Sequence, residues 1–441
     1  MRKIFHQAGI GACALVFSAS CAAFTVHEDD DITVDLTLDA MYGAFHSQRS
    51  YDPLGAGNPN GPGSVAWQEG MVEYGAEMLW DLGYQGAALA ARVSGVSTAT
   101  WGDGDAAGFT SGKERKNNIE DAWLRWSSGN IFPALGYNGL EISAGRQFLG
   151  VGDGFLLYGD LVSFGKGGLY PALKNRGGAY YLAGRSAFAN SFAVSLGGEE
   201  GLRGDLMWIK SDNDVQDKVK MLVANMEYVA PMGTVGLTYL RGLNASSGSP
   251  GIRSEKDGMD VWSVRAQGDA GVENLFLSAE FVHQDLAAHS SNERGWYVEG
   301  GWTFANLWGE PSVNYRHSQF SSGYDPLFYG FSRGFGTWYQ GEVAANYAGP
   351  LSSNTKIDNI TAALTPHEQF SVGMALFNYR DDKKISPRLD GQEMDVFVDW
   401  AVLPNVNVMP LVGLYKAKDS GTQLGTRKHN LYGQLMFAVS F

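Results

Sequence analysis

From Phe24 onward, apolar and polar residues alternate along almost the whole chain. In TVDLTLDAMYGAF (33–45), Val34, Leu36, Leu38, Ala40 and Tyr42 fall on one side of an extended backbone, and Asp35, Thr37 and Asp39 on the other. MVEYGAEMLWD (71–81) sets Val72, Tyr74, Ala76, Met78 and Trp80 against Glu73, Glu77 and Asp81. DVWSVRAQ (260–267), EMDVFVDWAV (393–402) and the terminal QLMFAVSF (434–441) repeat the scheme. A period of two predicts β-strands. One apolar and one polar face over about ten residues, with Trp and Tyr near the strand ends, is the pattern of a strand standing between lipid and water. A β-sandwich also alternates, but it does not need so many strands of that length.

Twenty segments qualify as strands, and parity decides how many span. Single-chain bacterial barrels have an even strand number, short turns on the periplasmic side and long loops outside. Counting long and short connections inward from both ends agrees only if GGAYYLAG (177–184) and YQGEVAANY (339–347) do not span. The expectation is therefore an all-β, antiparallel, up-and-down transmembrane barrel of eighteen strands, with twenty as the alternative. The two extra segments then belong to long extracellular loops, 148–188 and 320–355. The last strand closes the barrel against the strand near Thr33.

Composition agrees with many strands and tight turns. Glycine is 58 of 441 residues, about twice the usual share of roughly 7%. Residues 1–23 read as an export signal: Arg2 and Lys3, a short apolar run from Ala8 to Phe17, then small residues with cleavage after Ala22 or Ala23. A lipoprotein signal ending at Cys21 is the alternative. Cleavage removes both cysteines, Cys13 and Cys21, so the mature chain has no thiol chemistry. Losing Arg2 and Lys3 from 33 basic residues leaves 31 against 47 acidic, a net charge near −16. That excludes nucleic acid as a partner. It suits a surface among lipopolysaccharide phosphates cross-linked by divalent cations. The expected partners are outer-membrane lipid and lipopolysaccharide, the barrel-assembly machinery, and a small hydrophilic or saccharide solute.

The two long loops carry glycine every few residues with aromatics between. Glycine permits close backbone approach. Arg146, Asp153, Asp160, Lys166, Lys174 and Arg176 charge the first loop region, and Asp325, Arg333 and Glu342 the second. Structureless loops of this length are functional or disordered, and these are too aromatic for disorder. They are expected to fold into or across the pore mouth and constrict it; an outward cap packed on itself is the alternative. Pore-lining positions taken from the alternation are Glu73, Glu77, Arg92, Arg125, Glu141, Arg265, Glu280, Glu299, Arg316, Asp395 and Asp399.

EDAWLRW (120–126), LEISAGRQFLGVGDGFLLYGD (140–160) and YDPLFYGFSRGFGTWYQGEVAANY (324–347) resemble the alginate-export family of outer-membrane barrels. The resemblance implies an eighteen-stranded barrel and export of an anionic polysaccharide through a strongly basic lumen. The lumen-facing charges here are of mixed sign, which departs from that family, because field focusing needs one dominant sign. Each such charge fits an ion-pair ladder that stiffens a wide barrel.

No catalytic or metal-binding constellation emerges. The histidines are scattered, and there is no GxSxG or HExxH. Ser318 and His317 are adjacent, so they point to opposite faces. EDDD (28–31) and SDNDVQD (211–217) lack the spacing of a calcium loop and read as solvated acidic loops. No cofactor and no metal is expected, and the protein is not expected to be an enzyme. The sequence points to a porin-like channel for passive passage of hydrophilic solutes, an oligo- or polysaccharide among them. A non-conducting barrel serving as scaffold or surface receptor is the alternative. Ending on Phe441 after apolar alternation resembles the signal read by barrel-assembly machinery.

Overall fold

The computed structural model describes residues 24–52, 58–166, 174–246, 254–287, 291–330, 340–347, 353–385, 390–418, 422–424 and 426–441. The expected export signal, residues 1–23, lies outside the described residues.

A short strand, β1 (Phe24–Glu28), precedes eighteen longer ones. These are β2 (Ile32–Ser47), β3 (Val65–Asp81), β4 (Ala88–Gly102), β5 (Arg115–Ser127), β6 (Leu140–Gln147) and β7 (Phe188–Leu196). Then come β8 (Gly201–Lys210), β9 (Lys220–Ala230), β10 (Gly233–Asn244), β11 (Asp260–Gly268), β12 (Leu275–Leu286) and β13 (Ser291–Thr303). The wall is completed by β14 (Ser312–Phe320), β15 (Thr355–His367), β16 (Phe370–Asp381), β17 (Gly391–Leu403), β18 (Val406–Ala417) and β19 (Asn430–Ser440). Each pairs antiparallel with the next, and β19 closes the ring on β2, with Tyr432 opposite Ser47 and Ser440 opposite Asp39. The eighteen-strand expectation holds.

Connections alternate in length. At one end are turns such as 231–232, 368–369 and 404–405; at the other are loops 48–64, 103–114, 148–187, 245–259 and 321–354. Within the two longest loops, 177–184 forms turns, and 340–347 forms a turn followed by one helical turn, α1 (Ala344–Tyr347). Neither spans, which is why the parity count closes at eighteen.

The alternation sorts the wall as the sequence pattern demands. On β19, Leu431, Leu435 and Phe437 are exposed outward, while Asn430, Tyr432, Met436 and Ala438 are buried inward. Trp80, Leu89 and Trp126 lie in one row across β3, β4 and β5, all outward. Trp101 stands twelve residues further along β4. At about 3.3 Å per residue that is roughly 40 Å of strand. Tilted by about 45°, it spans about 28 Å, the thickness of a hydrocarbon core. The molecule is a transmembrane barrel.

The sequence pattern did not anticipate β1. Strand β19 covers β2 only from Asp39 to Ser47, leaving the start of β2 with an open edge. Residues 24–28 pair with Thr33–Leu36 of that edge and satisfy its backbone groups.

Candidate functional site

The described parts of the two longest loops turn inward and pack against the wall in the loop-end half of the lumen. Tyr180, Tyr181 and Leu182 of loop 148–187, with Val343, Ala344 and Tyr347 of loop 321–354, share one apolar cluster with inward wall residues Phe45, Trp67, Tyr415 and Tyr432. Trp67 meets Tyr347 edge-on at 5.5 Å and stacks on Phe45 at 5.1 Å. A second cluster sets Phe155 and Leu157 with Leu327 and Phe328 against β7 to β14. The loops are also joined by backbone: Tyr158 N–H donates to the Phe328 carbonyl at 2.8 Å, and Gly330 N–H to that of Gly154 at 3.0 Å.

Wall carboxylates tie this plug down by its amides. Glu69 of β3 accepts from the N–H of Tyr181 at 2.8 Å and of Leu182 at 3.2 Å. Glu120 of β5 accepts from the N–H of Ser186 at 2.6 Å and Ala187 at 2.7 Å, and its other oxygen binds Arg185. Glu393 of β17 accepts from Val343 N–H at 2.9 Å and Ala344 N–H at 2.6 Å. Glu293 of β13 accepts from Ser321 Oγ at 2.5 Å and Gly323 N–H at 3.1 Å. An irregular loop buried in a barrel must satisfy its N–H groups, and a charged acceptor forms the stronger hydrogen bond. Four strands supply such acceptors at the levels where the loops cross.

One sector of the wall is cationic. Pairing of β6 with β7 shifts register between Gly145 and Gln147, and Gly145 has φ +132°. The extra residue of this bulge lies on β7, between Phe188 and Ser191, and beside it the Arg146 side chain packs against loop residue Asp212. Arg146 Nη1 lies 3.3 Å from Asp212, while Arg176 Nη1 lies 3.0 Å from Asp212 and 3.2 Å from Asp160. Lys116 adds a fourth cation beside Arg185, its amine bonded to the Asn175 carbonyl. Nε and Nη2 of Arg146 and Nε of Arg176 are buried with no hydrogen-bond partner. Burial pushes the Asp212 carboxyl up, but Arg176, Arg146, Arg185 and Lys174 outweigh it and hold it below the usual carboxylate range. Segment 211–217, expected to be solvated, is therefore built into the plug: Ser211 and Asn213 are buried and bind Asp160 at 2.7 and 2.9 Å.

The other sequence-derived positions distribute as follows. Near the turn end, Arg92 is a hub, 3.0 Å from Glu73, 3.0 Å from Asp121 and 3.5 Å from Glu77. Arg125 lies 4.8 Å over the Trp123 ring, with Glu141 across from Ser127 on the next strand. Arg265 donates to Thr238 at 2.6 Å, to Asn225 at 2.8 Å and to Glu227. Glu280 accepts from Ser263 at 2.6 Å. Glu299 and Arg316 are opposite in register and both buried. Asp395 is buried and Asp399 half-buried on β17. In the loops, Asp153 accepts from Tyr297 at 3.5 Å, and Asp160 holds Arg176. The Lys166 backbone donates to Glu114 at 2.7 Å, Asp325 pairs with Lys256 at 2.6 Å, and Glu342 accepts from Tyr181 at 2.5 Å. Arg333 lies outside the described residues. His317 points outward, 2.7 Å from Asp358, while Ser318 is buried inside.

Glu69, Glu120, Arg185, Glu293, Glu393 and Lys256 did not figure among the lumen residues taken from the sequence. Glu69 shares the parity of Glu73 and Glu77, and Glu393 that of Asp395, so extending the alternation by two inward positions on β3 and one on β17 reaches both. Glu120 is hidden by a bulge where β4 pairs with β5 between Val93 and Gly95.

No family model matches the chain, and no curated protein matches it. In fold it is similar to solved porin structures. One is OccAB1 of Acinetobacter baumannii, with a TM-score of 0.57, 12% identity, and 96% of this chain and 98% of that chain covered. Another is a BenF-like porin from Pseudomonas fluorescens Pf-5, at 0.58, 10%, 93% and 99%. A third is OccK5 of Pseudomonas aeruginosa, at 0.55, 7%, 92% and 98%. These neighbours share the barrel architecture. With an even, closed, antiparallel wall and an outward apolar band, the protein belongs to the bacterial outer membrane.

Proposed function

We propose that the barrel is a channel for passive passage of small hydrophilic solutes, with a preference for anions such as carboxylates. The observation that carries this reading is the cluster of Arg146, Arg176, Arg185 and Lys116 at the loop end, where four cations face three carboxylates, Asp160, Asp212 and Glu120. A planar carboxylate matches the fork of a guanidinium. The half-exposed charges at the turn end, around Arg92 and Arg125, keep the remaining lumen wet. The porin neighbours support the channel reading at the level of architecture. An alginate-type polymer, suggested by the loop sequences, is less well supported, because the wall charges are mixed and the loops pack into the upper lumen.

The test is planar-bilayer recording of the purified, refolded barrel under a salt gradient. The expected result is discrete current steps and a reversal potential on the anion side, which Arg146→Gln moves toward zero. A folded barrel that gives no steps overturns the reading and leaves the scaffold or receptor alternative.

A further inference from the structure

The outer face of the barrel carries an asymmetry unrelated to its lumen. In the strands of the closed wall, outward positions between the two ends hold no charge, and those at the turn end hold none either. At the loop end the outward positions are charged, and mostly basic, although the chain as a whole has a net charge of −14. Some of these cations have acidic partners: Arg241 with Asp260, Arg380 with Asp358, and Lys356 with Asp382.

Lys210 and Lys220 differ. They end β8 and begin β9, and they stand directly opposite each other in the ladder. Their outer neighbours in the same row are Asn190 on β7 and Asn244 on β10, both neutral. Neither lysine has an ion pair among the described residues. Like charges directly opposite on adjacent strands are destabilising, so this pair favours an anion lying between the two ammonium groups. Immediately below, Trp208 faces Leu222, and the exposed Leu206 and Met226 continue down toward the membrane midplane. The site is thus basic at the interface and apolar beneath, which matches a phosphorylated head group whose acyl chains run down the wall.

We propose that the Lys210–Lys220 pair binds a lipid A phosphate of lipopolysaccharide, so that the loop end of the barrel lies in the outer leaflet. Charge complementarity selects this occupant: the phosphate is doubly charged near neutral pH, sits at the interface and is borne by acyl chains. The Lys210–Lys220 pair lies on the outward face and is independent of whether the barrel conducts.

Native mass spectrometry of the detergent-solubilised barrel with deep-rough lipopolysaccharide tests it. Each lysine near an anionic lipid surface is worth about fivefold in affinity, so Lys210→Gln with Lys220→Gln is expected to weaken binding about twenty-five-fold. Lipid A stripped of its phosphates should bind the unaltered barrel as weakly as that. Folding of the variant is checked by its heat-modifiable gel migration. Equal binding of dephosphorylated lipid A overturns the proposal. So does unchanged affinity in the folded double variant, or equal competition by phosphatidylglycerol, which would assign the pair to any anionic lipid.

Discussion

Tyr181, from loop 148–187, donates its phenolic proton to Glu342 of loop 321–354 at 2.5 Å, deep in the lumen. The two plug segments are therefore bonded to each other as well as to the wall. Gln434 of β19 donates to the same Tyr181 oxygen at 2.9 Å, and Asn346 donates to Glu342 at 3.2 Å. Glu393 and Asp395 face Glu342 from β17, Asp395 accepting from the Glu342 N–H at 3.4 Å. Burial first, and the Glu393 carboxylate second, push the Glu342 carboxyl well above the usual carboxylate range.

This sets the sign of a pH effect on the plug. Docked, Glu342 holds its proton to higher pH; released into water, it titrates near the ordinary glutamate value of about 4.3. Docking is fully favoured below that value and is weakened as pH rises toward the docked pKa. Single-channel conductance is therefore expected to rise, or to fluctuate more, as pH increases above the ordinary glutamate value of about 4.3. Glu342→Gln should flatten most of this dependence. A steeper profile in the variant would refute the latch.

Arg92 gives a stability prediction at the opposite end of the lumen. Its guanidinium lies among Glu73, Glu77 and Asp121, and only Glu77 is substantially exposed. Arg92→Gln leaves Glu73 and Asp121 facing each other without a cation. Removing one partner of a fully buried pair costs about 3–5 kcal/mol; here partial hydration reduces the loss to about 2 kcal/mol. Urea unfolding of the barrel in lipid vesicles measures it. Adding Glu73→Gln should restore part of the loss, and the double-mutant cycle isolates the pair.

The wall was legible in the sequence because alternation and connection length are local properties. Leu431 through Phe441 sort by parity, and 177–184 and 340–347 are excluded from the wall by the rhythm of long and short connections. The plug was legible only as a composition. Which amides of 180–187 and 342–344 meet which carboxylates depends on the path of the loops, and nothing local encodes it. Glu120 escaped for a sharper reason: it lies in a bulge of β5, and one extra residue reverses the parity of the alternation.

Gly145 tests how Arg146 is placed. A Cβ there would lie 2.2 Å from the Ala122 carbonyl oxygen, and φ +132° is strained for any other residue. Gly145→Val should cost about 1–3 kcal/mol and displace Arg146 from Asp212. The measurable consequence is lower urea resistance together with loss of the anion preference, a pair that Arg146→Gln separates by affecting only the second. Wild-type selectivity in a destabilised Gly145→Val barrel would mean that the placement of Arg146 does not depend on the Gly145 backbone.

Phe441 is expected to bear on assembly rather than passage. Its N–H donates to the Leu38 carbonyl at 2.8 Å, and its carbonyl accepts from the Leu38 N–H at 2.9 Å, so its backbone completes the β19–β2 seam. Its side chain is exposed on the outward face at the turn end, in line with Phe437 and Leu435. A serine there keeps both backbone bonds and the lumen unchanged. It removes only an apolar group at the membrane interface, where aromatic rings anchor strands. Phe441→Ser is therefore expected to lower the amount of folded barrel in the outer membrane while the molecules that do insert conduct normally. Quantifying heat-modifiable barrel in membrane fractions, beside single-channel conductance, reads both effects. Full membrane levels with altered conductance would reverse the assignment and put Phe441 in the pore's service instead of the seam's.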